Sequence, residues 1–116
     1  MYNRVLEWLT FSSLVKAHIA NYTVPQYGDM PDDEVETWSP EMTIAAIQKY
    51  TRRAGSSQRG QMEEIRDMLK IAHFACLTYF KLCRKYGISI DLPMESDYIK
   101  DNPLVHGGRG DSKQSN

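Results

Sequence analysis

The sequence predicts an all-α fold, a small antiparallel bundle with three main helices. Three observations predict it. Apolar residues recur at helical spacing in three separate segments. Residues suited to start or stop a helix stand at the ends of two of them. A five-residue linker, SSQRG, is short enough to turn the second helix back against the third as an αα-hairpin. At 116 residues with no internal repeat, the chain is sized for one domain, expected over residues 1–105.

The first helix is expected over residues 3–21, where Val5, Trp8, Leu9, Phe11, Val15, His18 and Ile19 mark one face. Glu7, Lys16 and His18 interrupt the segment, so it reads as an amphipathic helix rather than a signal peptide. A long loop is expected over 22–38, with Pro25, Pro31, Gly28 and an acidic run from Asp32 to Glu36. A loop of that length is uncommon without a function or hidden structure. The second helix has a defined start: Ser39 as cap, Pro40 in the first turn and Glu41 at the positive end of the dipole. It is expected to run to about Arg53 and to end at Gly55.

The third helix is the longest, over 61–86, ending at Gly87. Ile65, Met68, Ala72, Ala75, Tyr79, Leu82 and Tyr86 follow one another at alternating spacings of three and four. That is the pattern of a core-facing or coiled-coil-like seam. Phe74, Leu77 and Phe80 lie off this stripe, so the second half of the helix needs covering on two sides, and a homo-oligomer is expected. Residues 88–103 suit a short strand or a helical turn, and 106–116 a disordered, glycine-rich polar tail. The Arg109-Gly110-Asp111 triplet spells an adhesion tripeptide, an unsupported reading for a cytoplasmic protein.

Composition narrows the function classes. The formal net charge of −1 excludes the global basic field of a general nucleic-acid binder, so anion recognition must be local. No apolar run approaches the roughly 20 residues that span a bilayer. Cys76 and Cys83 are seven residues apart on one helix, roughly 10 Å at 1.5 Å per residue, too far for a disulfide. They are expected to be reduced and buried, as in a cytoplasmic protein.

The local anion site suggests itself in QKYTRRAG, residues 48–55. Lys49, Arg52 and Arg53 fall within one sector of the second helix, away from Ile44, Ile47, Tyr50 and Thr51, and Arg59 follows in the linker. Cations near a helix C-terminus also complement its dipole, which is the structural explanation. Paired arginine forks favour phosphate. In the next helix Glu64 and Asp67 are three apart and share a face, the arrangement in which two carboxylates hold Mg2+ against a phosphate. The structural alternative makes Glu63, Asp67 and Lys70 solvated partners. His73, on the side of Arg66 and Lys70, is the candidate general base. Tyr27 and Tyr50 are the candidates to stack on a base, and no P-loop or other nucleotide signature is present.

The string KYTRRAGSSQRGQMEEIRDMLKIAHFA, residues 49–75, resembles small bacteriophage proteins in which a K-Y-x-x-R-x-G segment precedes a D-x-x-K-A-type helix. The matching residues are Lys49, Tyr50, Arg53 and Gly55, then Asp67 and Lys70. Phage proteins with this region are often labelled nucleotide kinases. A second similarity is to MazG-like all-α nucleotide pyrophosphohydrolases, which bind magnesium through an E-x-x-E helix followed by an E-x-x-D helix. Glu64 and Asp67 match the second motif, whereas Asp33 and Glu36 share the spacing of the first but begin with Asp and precede the Ser39 cap. The loop string QYGD, residues 26–29, looks like a segment of phage relatives tied to nucleotide modification.

Both resemblances imply a helical domain handling nucleotide phosphates in the cytoplasm of a phage-infected bacterium. On this reading Lys49, Arg52, Arg53, Arg59 and Lys70 hold phosphate, Glu64 and Asp67 hold Mg2+, and His73 assists proton transfer. A different class stays open: a non-enzymatic helical adaptor that binds a host protein through its apolar third helix.

Overall fold

The computed structural model describes residues 2–56 and 59–89. The first helix, α1, spans Asn3–His18, and its face carries no buried residue. It does not stop near residue 21. A π-helical turn, Ile19–Thr23, carries it into a short helix, α2, Val24–Tyr27. Pro25 lies in the first turn of α2, where a missing N–H is tolerated. Gly28 then ends the run at φ 93°, a conformation that side chains other than glycine rarely adopt.

The segment expected as a 22–38 loop is therefore partly helical. Its first residues extend α1 through α2, and Glu34–Thr37 forms a 3-10 turn. Read from sequence, Pro25 and Pro31 looked like breakers; the wider π turn accommodates the first of them.

The second main helix, α3, spans Pro40–Ser56. Ser39 caps it as expected, its Oγ accepting the Met42 N–H at 3.2 Å. Gly55 stands inside the last turn rather than beyond it. The third, α4, spans Gln61–Tyr86, as predicted. Gly87 closes it in the left-handed region at φ 65°, and the Ile88 N–H reaches back to the Cys83 carbonyl at 2.9 Å.

Helices α3 and α4 pack antiparallel and form the centre of the fold. Their contact is a ladder of polar and aromatic rungs. At the hairpin end Arg53 pairs with Asp67. Next, Tyr50 and Trp38 each stack on Phe74, with ring centroids 5.8 and 6.2 Å away. Thr43 and Thr78 meet hydroxyl to hydroxyl at 2.6 Å, both buried. Finally the Lys81 ammonium donates to the carbonyls of Val35 and Glu36, at 2.9 and 3.4 Å, and ties the 3-10 turn to α4.

The stripe predicted as core-facing is not what packs. The face of α4 against α3 is Asp67, Phe74, Thr78 and Lys81, roughly 120° round the helix from the stripe. Ile65, Tyr79 and Tyr86 are 58%, 56% and 63% exposed. Each polar group on the packed face finds a partner across the hairpin, so its burial costs little. Cys76 corrects a further expectation: both thiols are free, but Cys76 is exposed and only Cys83 is buried. No helix among the described residues is long and apolar enough to cross a membrane. The expectations for the region beyond residue 89 and for the 106–116 tail lie outside the described residues.

Candidate anion site

The hairpin end of α3 and α4 gathers charge around one carboxylate. Asp67 is 1% exposed and accepts from Arg53 twice, Nη2 to Oδ1 at 2.8 Å and Nε to Oδ2 at 3.4 Å. Arg59 Nη1 and Lys70 Nζ stand 3.7 and 3.8 Å from the same Oδ1. Outside this shell Glu63 takes Arg59 at 2.9 Å and Arg66 at 2.7 Å. The network thus holds four cations against two carboxylates.

Electrostatics follow the geometry. The hydrogen bonds from Arg53 hold the Asp67 carboxyl below the usual aspartate value, and they raise the Arg53 guanidinium in turn. The hydrogen bond from Arg66 does the same to Glu63. Both acids therefore stay ionised as the counter-ions of the cluster.

Tyr50 forms the floor. The Arg53 guanidinium lies 4.6 Å from its ring centroid, Lys70 Nζ 5.6 Å and Lys49 Nζ 5.8 Å, within cation–π range. Helical geometry had put Tyr50 on the side away from the cations. Its side chain instead lies among them and against Phe74, because α4 brings Lys70 over the same ring.

From the other side α1 and its extension supply a row of rings. His18 stacks on Tyr22 at 5.2 Å, and Tyr22 meets Tyr27 edge-on at 6.2 Å. The positive charges of Lys70 and Arg66 reach His18, which burial first and then these cations push below the ordinary histidine value. The neighbouring Tyr27 raises the Tyr22 phenol, with burial, Glu63 and Tyr50 adding to the rise.

Of the residues singled out from sequence, Arg53, Arg59, Lys70, Lys49, Tyr50 and Asp67 come together here. Arg52 is exposed and takes no part in the contacts around Asp67 or Tyr50. Tyr27 reaches the site's edge through Tyr22. His73 stands outside the ion-pair network: it is half-buried beside Phe74, pushed down by burial and by His18, and opposed by Asp33.

Asp67 is committed to three cations, half-buried Glu64 lies on its flank, and no group of three His, Cys, Asp or Glu that could hold a metal occurs among the described residues.

Sequence reasoning missed Tyr22, read His18 only as part of the α1 face and Asp33 only as an imperfect match to an acidic metal motif, and took Glu63 and Arg66 as ordinary solvated charges. Asp33 Oδ1 is buried without a hydrogen-bond partner among the described residues. The spacing of Glu63 and Arg66, three apart on one helix, was a usable signal. Nothing in the sequence marked His18, which reaches the site only because α1 crosses α4.

No family model, no curated protein and no solved structure matches this chain.

Proposed function

We propose that the chain binds a nucleotide or another phosphorylated small ligand on the cationic rim of this cluster. Arg59, Arg66 and Lys70 are the phosphate contacts, and Tyr22 and Tyr27 the surface for the base. The observation that carries the reading is the crowding of Arg53, Arg59 and Lys70 within 4 Å of one buried carboxylate. Asp67 and Glu63 carry two charges against the four of Arg53, Arg59, Arg66 and Lys70, and an anion relieves what remains. Arg53, held from two sides, is the anchor that keeps Tyr50 and the rim in place. The similarity to phage proteins supports a role in nucleotide metabolism or in sequestering a nucleotide signal, in the cytoplasm of an infected bacterium.

The reading is binding without turnover. Magnesium at Glu64 and Asp67 would require Asp67 to leave Arg53, and His73 lies outside the network. Isothermal titration with nucleoside di- and triphosphates and with pyrophosphate, each with and without magnesium, tests it. Micromolar binding that is lost in Arg59→Ala/Lys70→Met is expected. Absence of binding by the wild type, or equal binding by the variant, removes it.

A second reading, an adaptor for a host protein, is favoured by the exposed apolar face of α4. It predicts one stoichiometric bacterial partner in a pull-down and no dependence on Arg59 or Lys70.

A further inference from the structure

The apolar stripe of α4 is the largest feature that the anion site leaves unused. It keeps strict alternation of three and four from Ile65 to Tyr86, three heptads of a coiled-coil seam, yet lies on the outside of the hairpin. Ile65, Met68, Tyr79 and Tyr86 along it, and Met62 on its flank, are between 42% and 63% exposed. Beside it runs an open apolar groove of about 660 Å3 between α1 and α4, walled by Trp8, Val15, Ile19, Ala72 and Cys76. Trp8, at 58% exposed, extends the patch onto α1.

The geometry points to a second copy of this chain as the occupant, with the α4 stripes of two copies packed antiparallel about a two-fold axis. Three features of the surface select this occupant.

The first is area. Each half-exposed large side chain offers on the order of 100 Å2. The six side chains then total roughly 600 Å2, at the lower edge of the ~600–1,000 Å2 per partner of a standard interface.

The second is charge. No stripe position is charged, and of the flanking residues only Glu64 at one end and Lys85 at the other are. An antiparallel pairing brings Glu64 of one copy near Lys85 of the other, so opposite rather than like charges meet across it.

The third is self-complementarity. The two small residues, Ala72 and Ala75, stand at the middle of the stripe, with larger residues towards both ends. An axis between them sets Ala72 opposite Ala75 of the second copy, Met68 opposite its Tyr79 and Ile65 opposite its Leu82. Small meets small at the closest approach of the helices, and large meets large outside it. An isologous contact requires this matching of one patch to itself.

Sedimentation velocity on the full chain tests the proposal. The wild type is expected at twice its 13.4 kDa mass at roughly 10 μM, with a Kd near or below 1 μM. Met68→Glu/Tyr79→Glu alters only exposed positions, so it should keep its helical circular dichroism and dissociate about 100-fold more readily. A wild type that stays monomeric at about 100 μM, a stoichiometry other than two, or a folded double variant that dimerises as before overturns the proposal.

Cross-linking fixes the direction independently. In a Cys76→Ser background, Ala72→Cys chains mixed with Ala75→Cys chains should form a disulfide-linked dimer and Tyr86→Cys chains should not. Cross-linking through Tyr86→Cys, or none in the Ala72→Cys and Ala75→Cys mixture, overturns the antiparallel register.

Discussion

Arg53 and Asp67, fourteen residues apart, form a two-pronged ion pair across the α3–α4 hairpin, with Asp67 1% and Arg53 27% exposed. The pair joins the end of one helix to the beginning of the next, and Arg59 and Lys70 are gathered about its carboxylate. Its first consequence is for stability. Asp67→Ala strands one guanidinium and leaves its neighbours to repel each other, whereas Arg53→Ala leaves Asp67 with Arg59 and Lys70 still near. Asp67→Ala is expected to cost about 2–3 kcal/mol, at or just below the ~3–5 kcal/mol of a fully buried broken pair, because Arg53 keeps contact with water. Arg53→Ala should cost less. Urea unfolding of the two variants checks both the size and the order.

Downward pKa shifts on an aspartate and two histidines set the acid limit. Asp67 is held low by Arg53, so its contribution is complete above the unfolded value of 3.8 and is lost as pH falls through the lower folded value. His73 and His18 are also pushed down, mainly by burial. The unfolded chain then takes up protons first, and stability declines as pH drops below the ordinary histidine value of 6.5. Thermal unfolding followed between pH 7 and 5 should show this slope, and His73→Gln should flatten it. An unchanged slope would show that His73 is not a source of it.

His18 also reports on the site itself. Lys70 and Arg66 repel its proton, so Lys70→Met should raise the His18 pKa, and a bound pyrophosphate should raise it in the wild type. NMR titration of the histidine ring resonances measures both. Raising by the mutation but not by pyrophosphate would place the anion elsewhere.

Thr43 and Thr78 have two hydroxyl protons for three contacts: the Pro40 carbonyl at 2.9 Å, the Phe74 carbonyl at 2.7 Å and each other. Replacing one threonine by valine deprives its partner of the shared bond inside a buried contact and should cost about 1–2 kcal/mol. Thr43→Val/Thr78→Val removes both polar groups and should cost less than the two single changes added together. A double-mutant cycle in urea measures the coupling, and simple additivity would contradict it.

Lys81, 8% exposed, is the tie between α4 and the 3-10 turn. Lys81→Met keeps the aliphatic stem but leaves the Val35 and Glu36 carbonyls without it. Hydrogen exchange across residues 34–38 should quicken while the α3–α4 hairpin stays protected. Protection retained in that turn would show that Trp38, stacked on Phe74, is sufficient to hold it.

The sequence by itself determined the helices. Helical periodicity, the Ser39 cap, Gly28 and Gly87 are local signals, acting within a turn or two of the residues that carry them. They gave α4 its bounds and α3 its start. They failed where the signal was ambiguous, at Pro25 inside a continuing helix and at Gly55 inside the last turn of α3.

Only the tertiary structure decided which faces meet. Periodicity ranks the faces of α4 by hydrophobicity and so selected the stripe of Ile65 and Tyr79. The hairpin instead uses Asp67, Phe74, Thr78 and Lys81, because each polar group there meets a complement on α3 or in the 3-10 turn. Complementarity between two surfaces is a property of the pair and cannot be read from either helix alone. The same reason separates the two outcomes for the site. Lys49, Arg53 and Lys70 were legible as cations on neighbouring helices, but Asp67 as their common counter-ion, Tyr50 among them and His18 arriving from α1 exist only once the chain has closed.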